Sequence, residues 1–544
     1  MELMKGSRSS LLRLSILLCA AVLLGFQLNA CTAVRGGPEP DTLRMNIGSE
    51  PPSLDWDITT DSTSFDVVSN LMVGLTQYTP DLTCAPACAT TWEVLDGGKR
   101  YLFHLRNDVV WTDGKQLTAR DFQYAWTRLL APKTAAQYAY FLYDIENAFE
   151  FNTGKIKDRA LVGVKALDDF TLEVKLKRPA AYFIYLTAFG PCYPQRQDVV
   201  ERWKDHWTDP EHIVTNGPFM LSKWAHEYKI ELIANPRFFE GETRLKKIKM
   251  FMVPEQSTAF ALYENDQLDY VDNRSMSTPD VERCKNSPEY KNIPLLRNNY
   301  VGFNVTKKPF DDARVRRAFS MAIDRTVFPR ILRRNEFPIS NWLPPSLLGS
   351  SPDSGPKFDP QAARKLLAEA GYPDGKGFPP TQVLFPNRED TRLVMEAIQD
   401  ELKRNLHVNV ELVNQEWKVF LQTLHRDPPQ MFRNNWGADY PDPETYMNLF
   451  TSHSGNNYTC WANAQYDHLH DLASAEQDVK TRGKLYQQMD ELLSKEEVPI
   501  IPTYLGTQNL MIKPWVKGLK FNALDIQFFK AASITQEKNR TSDL

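Results

Sequence analysis

Much of what catalytic and nucleic-acid-binding proteins display is missing from this sequence. Nine histidines and seven cysteines in 544 residues leave little material for a metal centre. His468 and His470, two apart, would point to different faces of a helix and read as surface residues. No G-x-x-x-x-G-K-[ST] or G-x-G-x-x-G loop is present to cradle a phosphate. There is no G-x-S-x-G nucleophile elbow and no H-E-x-x-H zinc pair. A basic surplus is also absent: 64 Lys and Arg stand against 68 Asp and Glu, a net charge of −4, which argues against a nucleic-acid binder. No low-complexity tract is long enough for a disordered chain. Only one apolar run approaches membrane length, at the N-terminus. The rest is globular, with length for roughly three or four domain-sized units.

That N-terminus has Lys5, Arg8 and Arg13 ahead of an apolar core at 14–26, then Leu28-Asn29-Ala30-Cys31. So short an apolar segment, with cations before it and small residues after it, reads as an export signal over 1–30, not a spanning helix. The Leu-Asn-Ala-Cys tetrad looks like a bacterial lipobox, which makes Cys31 the expected lipidation site and new N-terminus. Residues 31–41 then read as a tether. A lipid there holds a protein to a membrane face without making it span. Five cysteines remain besides Cys19 and Cys31: Cys84, Cys88, Cys192, Cys284 and Cys460. An exported protein can form disulfides, but an odd number leaves one thiol unpaired. Cys84 and Cys88 are the one pair close enough in sequence to suggest a bridge, and the prolines around them leave its geometry open.

Along the chain, short strands alternate with helices. YLFHLR (101–106), TLEVKL (171–176) and YKIELIAN (228–235) read as half-buried strands. DDARVRRAFSMAIDRTVFPRIL (311–332) has helical apolar spacing, with Pro329 as a possible end or kink. DPQAARKLLAEAG (359–371) is a punctuated helix: Asp359 as N-cap, Pro360 in first position, Gly371 at the end. A further helix is expected at 392–405, feeding a strand at 408–413. This alternation predicts a layered α/β fold, with a β-rich part before residue 200. Trp417, Trp436, Tyr440, Tyr446 and Trp461 crowd one stretch beside Arg433 and Asp439. Most such aromatics pack in cores, but aromatic walls with a few fixed charges also make ligand sites.

Several motifs are more specific. GSEPPSLDWD (48–57) with LMVGL (71–75) resembles the opening of the peptide-binding lipoproteins of bacterial ABC importers. TWEVLDGGKRYLFHLRNDVVWTDGKQLTARDFQYAW (91–126) is similar to that family's most recognisable segment. IVTNGPFML (213–221), PFDDARVRRAFSMAID (309–324), KLLAEAGYP (365–373), NQEWKVFL (414–421) and KPWVKG (513–518) continue the likeness in order. It covers nearly the whole chain after the leader and is strongest to the oligopeptide-binding protein.

The resemblance implies a two-lobed, hinged, type II periplasmic-binding-protein fold of the α/β class, with an extra β-rich domain. Lobe I would comprise 42–73, 200–298 and 515–544, the extra domain 74–199 and lobe II 299–514. The hinge crossings would lie near 298 and 514. In the family an extended peptide pairs with protein strands, and its ammonium meets an aspartate in a W-x-x-D segment. Here that segment is Trp436-Gly437-Ala438-Asp439, so Asp439 is the implied carboxylate. A cation taken out of water needs a fixed counter-charge. Tyr138 would stand near the amine. Asn435, Gly437, Asp61 and Ser62 would offer backbone groups, while Arg433 and Arg333 would meet peptide carboxylates. Trp417, Trp436 and Tyr300 would wall the pockets. Two paired cysteines of the oligopeptide-binding relative are replaced by Arg297 and Gly437. A histidine and an arginine are replaced by Thr391 and Leu424, which leaves peptide length open.

The expectation is a lipid-anchored, extracytoplasmic and monomeric binding protein without cofactor, metal or catalysis. It would hand short peptides to an ABC permease, touching the membrane only through its anchor. A specialised ligand (murein peptide, haem, nickel complex or oligosaccharide) and an adhesion or signalling role are the alternatives.

Overall fold

The computed structural model describes residues 36–79, 82–180, 182–476 and 478–535. The leader 1–30 and Cys31 lie outside the described residues. The expected tether does not stay loose to residue 41. The Gly36 N–H donates to the Asn265 carbonyl at 2.9 Å, and Glu39 pairs with Lys249 at 2.6 Å. The chain is thus docked before its first strand begins.

Two long antiparallel strands, Tyr290–Phe303 and Ile500–Ile512, form the middle of an 11-stranded sheet. On one side follow Met431–Gly437, Gln382–Pro386 and Glu411–Gln415. The last two are parallel to each other, as the intervening helix Glu389–Leu406 requires of a crossover. On the other side follow Tyr270–Val271, Thr42–Asn46, Lys247–Phe251, Lys229–Ala234 and Phe219–Ala225. The register of the two long strands slips between Pro294 and Asn298, opposite Thr507 and Leu505. The larger apolar core gathers Leu43, Met45, Ile248 and Met250 and runs on through Tyr300, Phe432 and Trp436; a second holds Phe303, Phe319, Phe385 and Ile398. Two α/β lobes therefore share a pair of long strands, and the register of that pair slips midway.

A second sheet of four strands, Ala89–Leu95, Arg100–Leu105, Thr171–Lys175 and Val164–Ala166, carries the β-rich segment. The helix Ala119–Leu129 buries Phe122, Ala125, Trp126 and Leu129, and a Thr118–Asp121 capping box starts it.

Several local expectations shift. The stretch 311–332 forms two helices, Ala313–Met321 and Val327–Leu332. The break falls at 322–326 because Arg325 is buried and donates to the carbonyls of Ser320, Ile323 and Pro502. Pro329 is not the breaker, since it sits in the first turn of the second helix, where no intrahelical N–H bond is lost. The Asp359 cap holds, its carboxylate accepting from the Gln361 and Ala362 N–H groups, and Gly371 has φ 99° past the end. The strand expected at 408–413 begins at Glu411. Cys84 and Cys88 do not bridge; all five thiols are free. Cys84 points to the Ile184 carbonyl, and Cys88 to the Val73 carbonyl and the Asn216 amide. His470 is not a surface residue: it is buried, with Nε2 3.1 Å from Glu444.

Candidate binding cleft

Strand Met431–Gly437 is paired along its length with Arg297–Phe303. Its other edge meets the neighbouring strand only at Met431 and Phe432. From Arg433 to Gly437 that edge has no partner strand among the described residues, so Asn435 and Gly437 lie where an extended chain could add. Immediately after it the backbone turns into the short helix Glu444–Met447. That turn buries Asp439, 8% exposed.

Asp439 is held by neutral donors. Its Oδ1 accepts from the Tyr138 hydroxyl and its Oδ2 from the Thr445 hydroxyl, both at 3.1 Å. Its N–H donates to Thr445 Oγ1 and its carbonyl accepts from Tyr78. No cation pairs with it among the described residues. Burial pushes its pKa up to about 8, the Glu444 charge adds to the rise, and the Thr445 and Tyr138 hydrogen bonds oppose it. Trp436 donates its indole N–H to the Thr445 carbonyl at 3.2 Å and meets Tyr138 edge to face at 6.2 Å. Phe65, Phe141 and Phe189 complete the enclosure of Tyr138. Tyr138, Trp436 and Asp439 therefore come together at one place.

Asp61 caps the helix Ser62–Leu71, accepting from the Ser64 N–H and hydroxyl. Burial raises its pKa as well. Ser62, exposed, accepts from Arg297 at 3.3 Å. Trp417 opens the helix Trp417–Arg426 half-buried, stacked on Phe420. Arg433 is buried and bonded to Asn299 and Tyr504. Tyr300 is enclosed by Trp342, Phe432 and Phe450 and takes its place in that aromatic core.

Arg333 is exposed, with φ 53° at the end of Val327–Leu332. That left-handed turn sends the next residue inward: Arg334 is buried, 3.2 Å from Asp390 and donating to the Met276 carbonyl. Arg388 joins it on Asp390, and these guanidiniums with nearby Arg433 hold that carboxylate far below its usual range. Sequence reasoning passed over Arg334, Thr445 and Tyr78. The Arg333–Arg334 doublet was the only signal for the first, and nothing local distinguishes the other two. Arg297 and Gly437 stand directly opposite each other on neighbouring strands. Thr391 and Leu424 are both buried.

The family model for bacterial extracellular solute-binding proteins, family 5 (middle), matches residues 83–458. The probable deoxycholate-binding periplasmic protein YgiS of Escherichia coli K12 is 34% identical over 485 residues, covering 87% of this chain and 90% of its own. The periplasmic oligopeptide-binding protein OppA of Salmonella typhimurium is 33% identical, covering 88% and 90%. A structure of the E. coli murein tripeptide binding protein MppA, 30% identical, covers 92% of this chain and 99% of its own with a TM-score of 0.86. The unliganded open form of MppA covers 93% and 99% but reaches only 0.63. The lobes here therefore stand as in the first of these two arrangements and not as in the open one.

Proposed function

The chain belongs to the family 5 bacterial extracellular solute-binding proteins, and from that premise we propose that it captures short peptides by their free N-terminal ammonium and delivers them to an ABC importer. The observation that carries this reading is Asp439: a buried carboxylate held by two hydroxyls and paired with no cation among the described residues. An ionised carboxylate in such a place is unfavourable alone and favourable beside an ammonium. The unpaired edge at 433–437 offers backbone groups to a ligand of any side-chain sequence.

In this reading lobe I (42–73, 200–298, 515–544), the extra domain (74–199) and lobe II (299–514) close on the ligand. The flexing point is the register slip at 294–298 and 505–507. Closure joins Tyr138 of the extra domain to Asp439 of lobe II, so the amine site is complete only when the lobes meet. The protein works as a monomer, without catalysis, held to a membrane face by a lipid on Cys31. A steroid anion of the kind named for YgiS would bring like charge to Asp439, so an amine-bearing ligand fits better.

The test is isothermal titration of purified protein with a tripeptide and its N-acetylated form. Binding of the free peptide with at least about 30-fold loss on acetylation is expected. Equal affinity for both would refute amine recognition.

A further inference from the structure

The two positions that face each other across strands Tyr290–Phe303 and Met431–Gly437, Arg297 and Gly437, build a second polar feature beside the amine site. Gly437 has no side chain, and the Arg297 guanidinium fills the space above it. A Cβ on Gly437 would lie 3.5 Å from Arg297 Nε and 3.8 Å from Nη2. Nη2 is committed, to Asp525 at 2.9 Å and to Ser62 Oγ at 3.3 Å. The Nε–H is buried and has no acceptor among the described residues. On the helix Glu444–Met447 that follows this strand, the hydroxyl of Tyr446 is also buried and has no partner among the described residues, on a side chain with 0% exposure. It lies within electrostatic reach of both the Asp439 carboxylate and the Arg297 guanidinium.

Two buried donors without acceptors are costly unless something fills them. What they await is an acceptor, and beside a guanidinium an anionic one is favoured. Gly437 precedes Asp439 by two residues, a span of at most about 7 Å of chain. An acceptor at Arg297 would thus lie one to two ligand residues from an ammonium at Asp439.

We infer that Arg297 and Tyr446 form a carboxylate-accepting subsite next to the amine site, selecting ligands whose anionic group lies one or two residues from the free ammonium. The inference rests on the amine-site reading above and adds to it a preference that Asp439 cannot supply. The carboxylate has two sources, an acidic side chain at the second or third position or the C-terminus of a dipeptide. Asp525 keeps Arg297 extended over Gly437 and leaves the Nε edge for the ligand.

Calorimetry on the full chain separates these possibilities. The probes are Ala-Glu-Ala against Ala-Gln-Ala, Ala-Ala-Glu against Ala-Ala-Gln, Ala-Ala against its C-terminal amide, and N-acetyl-Ala-Glu-Ala. We expect at least one acid to bind about ten-fold or more tightly than its neutral counterpart. A preference in the tripeptides assigns the site to a side chain, and one in the dipeptide pair to the terminus. Arg297→Gln should bring that ratio close to one, Arg297→Lys should keep part of it, and Tyr446→Phe should reduce it while leaving the fold intact. The inference is overturned if every ratio is close to one in the native protein while N-acetylation still abolishes binding. In that outcome the amine reading stands alone. If free and acetylated peptides bind alike, or none binds, both fail together. If Arg297→Gln does not fold, Arg297→Lys and Tyr446→Phe decide: an unaltered ratio in both counts against the subsite.

Discussion

Two buried aspartates in this molecule have opposite surroundings. Asp269, fully buried, accepts from the Arg44 N–H, Nε and Nη2 and from the Trp515 indole, all within 2.7–3.0 Å. Asp439, nearly as buried, has two hydroxyls and no cation. Asp66 and Asp272 on Arg274 and Asp144 on Arg178 follow the first pattern. Asp490 has no cation either, but four donors from Asn341, Trp342, Leu343 and Ser494 fill it. These scaffold aspartates are neutralised or saturated, whereas Asp439 has two hydroxyl donors and stands open to a ligand. Burial alone does not mark a site, whereas burial without compensation does.

The contrast can be broken from either side. The largest effect is expected from Asp269→Asn, which strands the Arg44 guanidinium and should cost about 3–5 kcal/mol of stability. Thermal unfolding would show a midpoint several degrees lower, and an unchanged midpoint would put Asp269 outside the scaffold's charge economy. Asp439→Asn should do the reverse. It should weaken peptide binding by at least about 2 kcal/mol and yet stabilise the empty protein by about 1–2 kcal/mol at pH 8. The sign follows from the raised pKa of about 8. The folded empty protein holds that proton more tightly than the unfolded chain, so its stability falls as pH rises from about 4 to about 8. Asparagine removes this fall and should make no difference at pH 4.

The same titration makes binding pH-dependent. An ammonium needs Asp439 ionised, so capture should release a proton, and affinity should rise about ten-fold from pH 6 to pH 7.5. Calorimetry in buffers of different ionisation heat measures that proton directly. Tyr138→Phe, which removes one of the two hydroxyls on Asp439, should cost about 1 kcal/mol of binding and little stability. The smallest effect is expected on the scaffold side: Asp359→Ala uncaps Pro360–Glu369 for about 1 kcal/mol, without change in affinity.

Much of this was legible in the order of residues. Half-buried strands at 100–105 and 171–175 showed as period-two alternation, and the helix at 360–369 carried its own cap and stop signals. Where signals were purely local and continuous, as at 311–332, the pattern ran through a break that only the buried Arg325 explains. Arg333 rested on the resemblance alone, which does not reveal that residue 333 turns left-handed and that Arg334 is the buried one. His470 looked like a surface residue because its partner Glu444 lies 26 positions away.

The sequence by itself determined the α/β alternation, the aromatic cluster around Trp436 and the motifs that resemble a family of solute-binding proteins. Their signals lie within short windows, where periodicity, capping and residue type act on neighbours. Only the tertiary structure decided that Tyr138 meets Asp439 across 301 residues, that no cation joins them, and that Arg297 covers Gly437. Compensation of a buried charge belongs to everything packed around it, and that neighbourhood exists only once distant segments have come together.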